Sequence, residues 1–158
     1  MTDHMLAITR ILLADDDADD RFIFEALLRE VAPGISLDFV SNGNDLLALL
    51  QHYIPDLLFL DLEMPYKNGL ECLVEIRSHA QLKDLPVVVF SSTTRPANIQ
   101  TAYEMGAHLF FIKSPKVSVF TEALHAILGL DWSRPERIKA QYHTGDRYLT
   151  FNEAASNA

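Results

Sequence analysis

One cysteine, Cys72, stands among 158 residues, so no intramolecular disulfide braces this chain. No stretch approaches the roughly 20 consecutive apolar residues of a membrane-spanning helix. Near the start, the apolar run at residues 11–14 is short and leads straight into acids, unlike the core of a secretory signal. The phosphate-cradling patterns G-x-G-x-x-G and G-x-x-x-x-G-K-[ST] are both missing, which argues against a tightly held nucleotide. Basic residues are scarce as well: 13 Lys and Arg face 22 Asp and Glu, a formal charge of −9. A surface of that sign repels nucleic acid and anionic lipid. Together these absences lead us to expect a soluble, cytoplasmic protein with no nucleic-acid and no membrane partner.

With 49% hydrophobic residues, the chain has material for one domain with its own core. Its charge deficit is uneven: residues 1–128 hold 9 Lys and Arg against 18 Asp and Glu, while residues 129–158 hold 4 of each. A cation is the natural ligand of the first part. Residues 1–9 form a short leader without a period. After it, apolar runs at 11–14, 37–40, 57–60, 87–90 and 109–112 read as strands, each followed by a helical stretch. Asp17 is placed to cap the first helix, Asn68 and Glu71 are spaced as a capping pair, and Thr94 precedes Arg95-Pro96 as a further cap. The first helix, about 19–31, puts Phe22, Ile23, Ala26 and Leu27 on one stripe and Phe24 and Leu28 on a second. Cys72 falls on the third helix as a core residue, and the histidines show no metal-ligand spacing. Five strand–helix pairs imply an α/β fold, a parallel sheet with helices on both faces and right-handed crossovers.

In that architecture ligands sit beyond the carboxyl ends of the strands. Asp61 ends a run, residues 57–60, that reads as a strand buried on both faces, where an unpaired charge is costly, so it belongs at the strand's edge. Asp17, Asp19 and Asp20 serve the positive end of the first helix, which leaves Asp15 and Asp16 as an acidic pair beside a strand. Ser91 and Lys113 follow the fourth and fifth strands. Three carboxylates suit a hard divalent cation such as Mg²⁺. With a hydroxyl and an ammonium opposite, they describe a site for a phosphoryl group neutralised from two sides, with Asp61 as the nucleophile that forms an acyl phosphate.

The stretches LLADDD, LLFLDLEMPYKNGL, PVVVFSS and FFIKSP, in that order, resemble a response-regulator receiver domain of two-component signalling, of the stand-alone single-domain type. The resemblance covers residues 8–128 and implies a doubly wound, flavodoxin-like five-stranded sheet of order 2-1-3-4-5. It implies that Asp61 accepts a phosphoryl group from a histidine kinase or phosphotransfer protein. Asp16 would bind Mg²⁺ directly and Asp15 mainly through water, with the backbone carbonyl of Glu63 as a further ligand. Ser91 would hydrogen-bond the phosphoryl oxygen, Lys113 would pair with it, and Phe110 would be the switch aromatic, turning inward as Ser91 moves. Glu63 and Thr93 lie where the family tunes phosphate loss. Such a receiver is not an enzyme with a separate substrate, although it assists its own phosphorylation and dephosphorylation. Its output is contact with a downstream protein.

The chain departs from the family pattern at one point. The family usually follows its lysine with proline, often through a cis bond, whereas this chain reads Lys113-Ser114-Pro115. A cis bond before serine costs about 3 kcal/mol, so the loop is either strained or trans and differently shaped. Residues 129–158 are too few for a typical DNA-binding output domain. Ser133-Arg134-Pro135-Glu136 resembles a capping box opening a short helix to about residue 142, then a turn over residues 143–146. After the turn come an extended piece with Tyr148, Leu149 and Phe151 and a frayed end. Its apolar residues have two uses, folding back over Phe24 and Leu28 or pairing with another molecule, a homodimer being one form. Two rival functions stay open: a Mg²⁺-dependent phosphohydrolase with Asp61 as nucleophile, and a receiver-like binding module that is never phosphorylated. Against the first, Glu63 occupies the second site of the usual D-x-D signature.

Overall fold

The computed structural model describes residues 7–156, so most of the expected leader and the last two residues of the expected frayed end lie outside the described residues. Strands and helices alternate as β1 (Arg10–Ala14), α1 (Ala18–Val31), β2 (Ser36–Val40), α2 (Gly43–Leu50), β3 (Leu57–Leu60), α3 (Gly69–Ser78), β4 (Val87–Ser91), α4 (Pro96–Glu104), β5 (Leu109–Ile112) and α5 (Val117–Leu128). The five strands pair in parallel in the order β2-β1-β3-β4-β5, the flavodoxin-like arrangement. Every residue of β3 and β4 is buried, because helices cover both faces of the sheet; this is why their sequences are unbroken apolar runs. The edge strand β2 has no buried residue: Leu37 and Val40 are half-buried and the other three exposed.

Between the sheet and the pair α1 and α5 lies an aromatic cluster. The Phe24 ring is 4.9 Å from Phe59 and 6.1 Å from Phe120, and Phe90 is 5.4 Å from both Phe111 and Phe120. The core face of α1 is therefore the stripe of Phe24, Leu27 and Leu28, all buried, while Phe22 is 73% exposed and Ile23 37% exposed. This corrects the expected ranking of the two stripes. A helix lying on a sheet buries only one stripe, and α1 is rotated so that Phe24 enters the cluster.

The local caps form largely as the sequence predicts. Asp17 accepts from the N–H groups of Asp19 and Asp20, and Asn68 and Glu71 form a complete capping box. Thr94 is not a cap: Arg95 holds that position with no side-chain bond, and Pro96 supplies the preset first turn.

Past α5, Trp132 is buried and donates from Nε1 to the Ile127 carbonyl. Next come helix α6 (Pro135–Gln141), a two-stranded hairpin of β6 (His143–Thr144) and β7 (Arg147–Tyr148), and helix α7 (Phe151–Ser156). Gly145 turns the hairpin with φ +60°. Two expectations are corrected here. Arg134, not Ser133, occupies the cap position of α6, and Ser133 bonds instead to Asp131. The extended piece is only two residues long, because Thr150 and Glu153 form a capping box that starts a helix at Phe151.

The tail also packs elsewhere than over Phe24 and Leu28, which α5 and the sheet already cover. It lies along α4 and the outer edge of β5. The Tyr148 ring stacks on Tyr103 at 4.5 Å, and Phe151 packs edge-on to Phe111 at 6.0 Å. Gln100 holds the Tyr148 backbone at both ends, accepting from its N–H at 2.7 Å and donating to its carbonyl at 2.9 Å.

Candidate functional site

The carboxyl ends of β1, β3, β4 and β5 bring the chemistry-bearing residues to one edge. Asp15 follows β1 and is fully buried, whereas Asp16 beside it is exposed. Asp61 follows β3 and is 5% exposed; Ser91 closes β4, buried; Lys113 follows β5. The backbone under Asp61 is tightly packed: a Cβ on Gly69 would lie 2.4 Å from the Asp61 carbonyl oxygen, so only glycine fits there.

Lys113 is the centre of the cluster. Its Nζ lies 2.8 Å from Asp20, 2.9 Å from Asp15 and 3.1 Å from Asp61, and 5.1 Å above the centre of the Phe90 ring. Its own N–H donates to the Ser91 carbonyl at 2.8 Å, which ties β5 to β4 at the site. The Lys113–Ser114 peptide is trans, so the departure from the family pattern resolves as a trans loop that still delivers the ammonium to the carboxylates. Burial opposes the charge on Lys113, but the hydrogen bond to Asp20 and the nearby charges of Asp15 and Asp61 push its pKa up. Lys113 is a cation at every physiological pH.

Asp61 is held differently. Burial raises its pKa from 3.8 to about 6, aided by the charge of Asp15, against the pull of Lys113 and of the Glu63 N–H, which donates to Oδ1 at 3.2 Å. It is ionised at neutral pH but at a cost.

Asp15 Oδ1 accepts from the Asp17 N–H, while its Oδ2, fully buried, has the Lys113 ammonium beside it but no aligned hydrogen-bond donor. One oxygen from each of Asp15, Asp16 and Asp61 falls within 4.8 Å of the others. An under-satisfied buried carboxylate oxygen in such a trio, with three acids around one ammonium and Asp16 exposed beside them, fits a hard divalent cation with oxygen ligands.

The remaining predicted residues are placed less directly. Ser91 Oγ accepts from the Thr93 N–H at 3.3 Å and, among the described residues, makes no hydrogen bond with Asp61 or Lys113. Glu63 turns its N–H toward Asp61 and leaves its side chain exposed. Phe110 is fully buried already, and its N–H donates to the Tyr103 hydroxyl, which donates in turn to the Leu149 carbonyl of the tail.

Asp20 is the site residue that sequence reasoning missed, because its place in the first turn of α1 gave it a sufficient role at the helix dipole. The signal was the excess of acids around one lysine. His108 was set aside as well. It is buried at the opposite end of the sheet, accepts from the Val87 N–H on Nδ1 and meets Glu136 of α6 at 2.8 Å on Nε2. Cys72 is buried core, as expected.

Comparison with known proteins follows the same outline. The model of the response regulator receiver domain matches residues 11–125. A protein-glutamate methylesterase/protein-glutamine glutaminase of Treponema denticola is 32% identical over 152 residues, which is 91% of this chain but only 40% of that relative's length. Among solved structures, the phosphorylated cyanobacterial phytochrome response regulator RcpA is 29% identical with a TM-score of 0.71, covering 77% of this chain and 91% of its own. The Mn²⁺-bound form of response regulator Rcp1 is 27% identical with a TM-score of 0.69, covering 75% and 91%. Among the described residues, no helix is long and apolar enough to cross a membrane.

Proposed function

Because the chain belongs to the response regulator receiver domain family, we propose that it works in the cytoplasm as a phosphorylation-dependent switch, with Asp61 as its phosphoacceptor. Residues 8–128 form the receiver and residues 129–158 an extension of it. The observation that carries this reading is the contact of one half-buried ammonium, Lys113, with Asp15, Asp20 and Asp61 at the carboxyl edge of the sheet. The ammonium can neutralise a phosphoryl group from one side, and a divalent cation held by Asp15, Asp16 and Asp61 would do so from the other.

The step balances simply. A carboxylate oxygen of Asp61 attacks phosphorus, the bond from phosphorus to the donor breaks, and an acyl phosphate remains on Asp61. The donor is a phosphohistidine of a histidine kinase or phosphotransfer protein, whose imidazole nitrogen leaves with the bonding pair. Lys113 holds the phosphoryl oxygens, and the Ser91 hydroxyl turns from Thr93 to reach one of them. Asp15, Asp16 and Asp61, with the Glu63 carbonyl, would hold Mg²⁺, which supplies positive charge to the transferring group. The Mn²⁺ reported for Rcp1 supports a divalent ion here. The new charge shifts a two-state region at α4 and β5, where Phe110 lies and the tail packs, and a downstream protein reads the change in that tail-covered face.

The test is intact-protein mass after incubation with acetyl phosphate, with and without Mg²⁺. A Mg²⁺-dependent gain of one phosphoryl group that Asp61→Asn abolishes is the expected result. A gain that survives in Asp61→Asn, or none under any condition, refutes it. Continuous release of phosphate from many small esters would instead favour the phosphohydrolase reading.

A further inference from the structure

Ile112 is the last residue of β5 and the direct neighbour of Lys113. On its outer edge both backbone groups are taken by one side chain: Asn152 of α7 accepts from the Ile112 N–H at 2.8 Å and donates to the Ile112 carbonyl at 3.1 Å. Forty residues of chain separate the partners. The carboxamide thus does the work of a neighbouring strand, and it does so one peptide away from the ammonium that meets Asp15, Asp20 and Asp61.

Asn152 is itself fixed. The box of Thr150 and Glu153 starts the helix that carries it, Thr150 is fully buried, and Phe151 is packed on Phe111. On the inner edge, Lys113 is tied to the Ser91 carbonyl. The strand end is therefore held from both sides, and Asn152 supplies the outer side. With a trans Lys113–Ser114 peptide, the backbone that aims the lysine is set by these bonds.

We propose that Asn152 is a positioning residue for phosphoryl uptake: its carboxamide, clamped on Ile112, sets the direction in which Lys113 presents its ammonium to Asp61. The inference rests on the reading of Asp61 as phosphoacceptor. It makes tail docking and phosphorylation one coupled equilibrium, since whatever tightens the grip on Ile112 favours the phosphorylated site by the same factor as phosphorylation tightens the grip. Asn is required and Asp is not a substitute, because a carboxylate keeps the bond from the Ile112 N–H but meets the Ile112 carbonyl with no proton to give.

The experiment compares Asn152→Ala, Asn152→Asp and Gln100→Ala with wild type, each in the full chain. Gln100→Ala breaks the companion clamp on Tyr148 and leaves both bonds between Asn152 and Ile112 in place. Uptake from acetyl phosphate is expected to slow on the order of tenfold in both Asn152 variants, the scale of a displacement below an ångström. It should stay within about twofold of wild type in Gln100→Ala. Mg²⁺ affinity, set by Asp15, Asp16 and Asp61, should hold in all of them. Equal slowing in Asn152→Ala and Gln100→Ala overturns the proposal, since the tail then acts as a general brace; so does unchanged uptake in Asn152→Ala. A second readout needs no phosphoryl chemistry. The Nζ proton signal of Lys113, protected by three ion pairs, should be visible by NMR in wild type and lost in Asn152→Ala. If wild type takes up no phosphoryl group, the reading of Asp61 fails, and that signal alone decides for or against the clamp.

Discussion

Replacing Asp61 by asparagine should stabilise the protein at neutral pH, and the gain should vanish in acid. Burial moves this carboxyl from 3.8 to about 6, so the folded state holds its proton where the unfolded chain has lost it. Stability therefore falls as pH rises through that window. About two pH units at 1.36 kcal/mol each give a cost of about 3 kcal/mol at pH 7.5, an upper bound because Asn does not copy the protonated acid in every bond. The new carboxamide would still accept from the Glu63 N–H, and Lys113 would keep Asp15 and Asp20. The assay is urea unfolding of both proteins between pH 4.5 and 8 without divalent ions. The variant should be more stable by about 1–3 kcal/mol at pH 7.5, roughly two thirds of that gap should be gone at pH 4.5, and the rest closes below the unfolded carboxyl's 3.8. Adding Mg²⁺ should close the gap from the wild-type side, because an ion that binds only the folded acids stabilises by mass action. Parallel curves across the pH range, or a less stable variant at pH 7.5, would refute the claim that an ionised Asp61 is a burden on the fold.

His108 works in the opposite direction over the same range: burial, with the charge of Arg77, lowers its pKa from 6.5 to about 4, so it adds stability that is lost as pH falls through that window. His108→Asn should flatten the acid side of the stability curve, read by the urea midpoint between pH 4 and 6.5, and should leave phosphoryl uptake at the far end of the sheet unchanged. Gly69→Ala forces a methyl to 2.4 Å from the Asp61 carbonyl oxygen. It should cost about 1–3 kcal/mol in the same unfolding assay, and phosphoryl uptake should drop with it because the backbone that must yield carries the acceptor.

The sheet was readable because strands such as residues 57–60 and 87–90 are buried on both faces, and few arrangements other than a covered parallel sheet use uninterrupted apolar runs of that length. Its site was readable for the related reason that Asp61 and Lys113 stand where an apolar run stops. What stayed hidden depends on which surfaces are already taken. Nothing local in α1 says that Phe24 enters the aromatic cluster while Phe22 faces solvent, since that follows from the position of Phe120 on α5. For the same reason the tail could not be assigned to α4 and β5 before α5 was seen to cover Phe24 and Leu28. Thr150 and Glu153 did carry a local signal, a T-x-x-E pattern, but the apolar residues around it read equally well as strand.

A parallel sheet that ends at β5 leaves outward-pointing amides, and an uncovered edge of that kind recruits strands from other molecules. Here the amides of Phe110 and Ile112 are occupied by the Tyr103 hydroxyl and the Asn152 carboxamide, side chains that satisfy the edge without continuing it. Neither offers a further row of backbone groups, so the sheet has a terminus on this side rather than a growing end. Lifting the tail would free the N–H and carbonyl of Ile112, and with them the part of the β5 edge nearest the site would become open to strand addition.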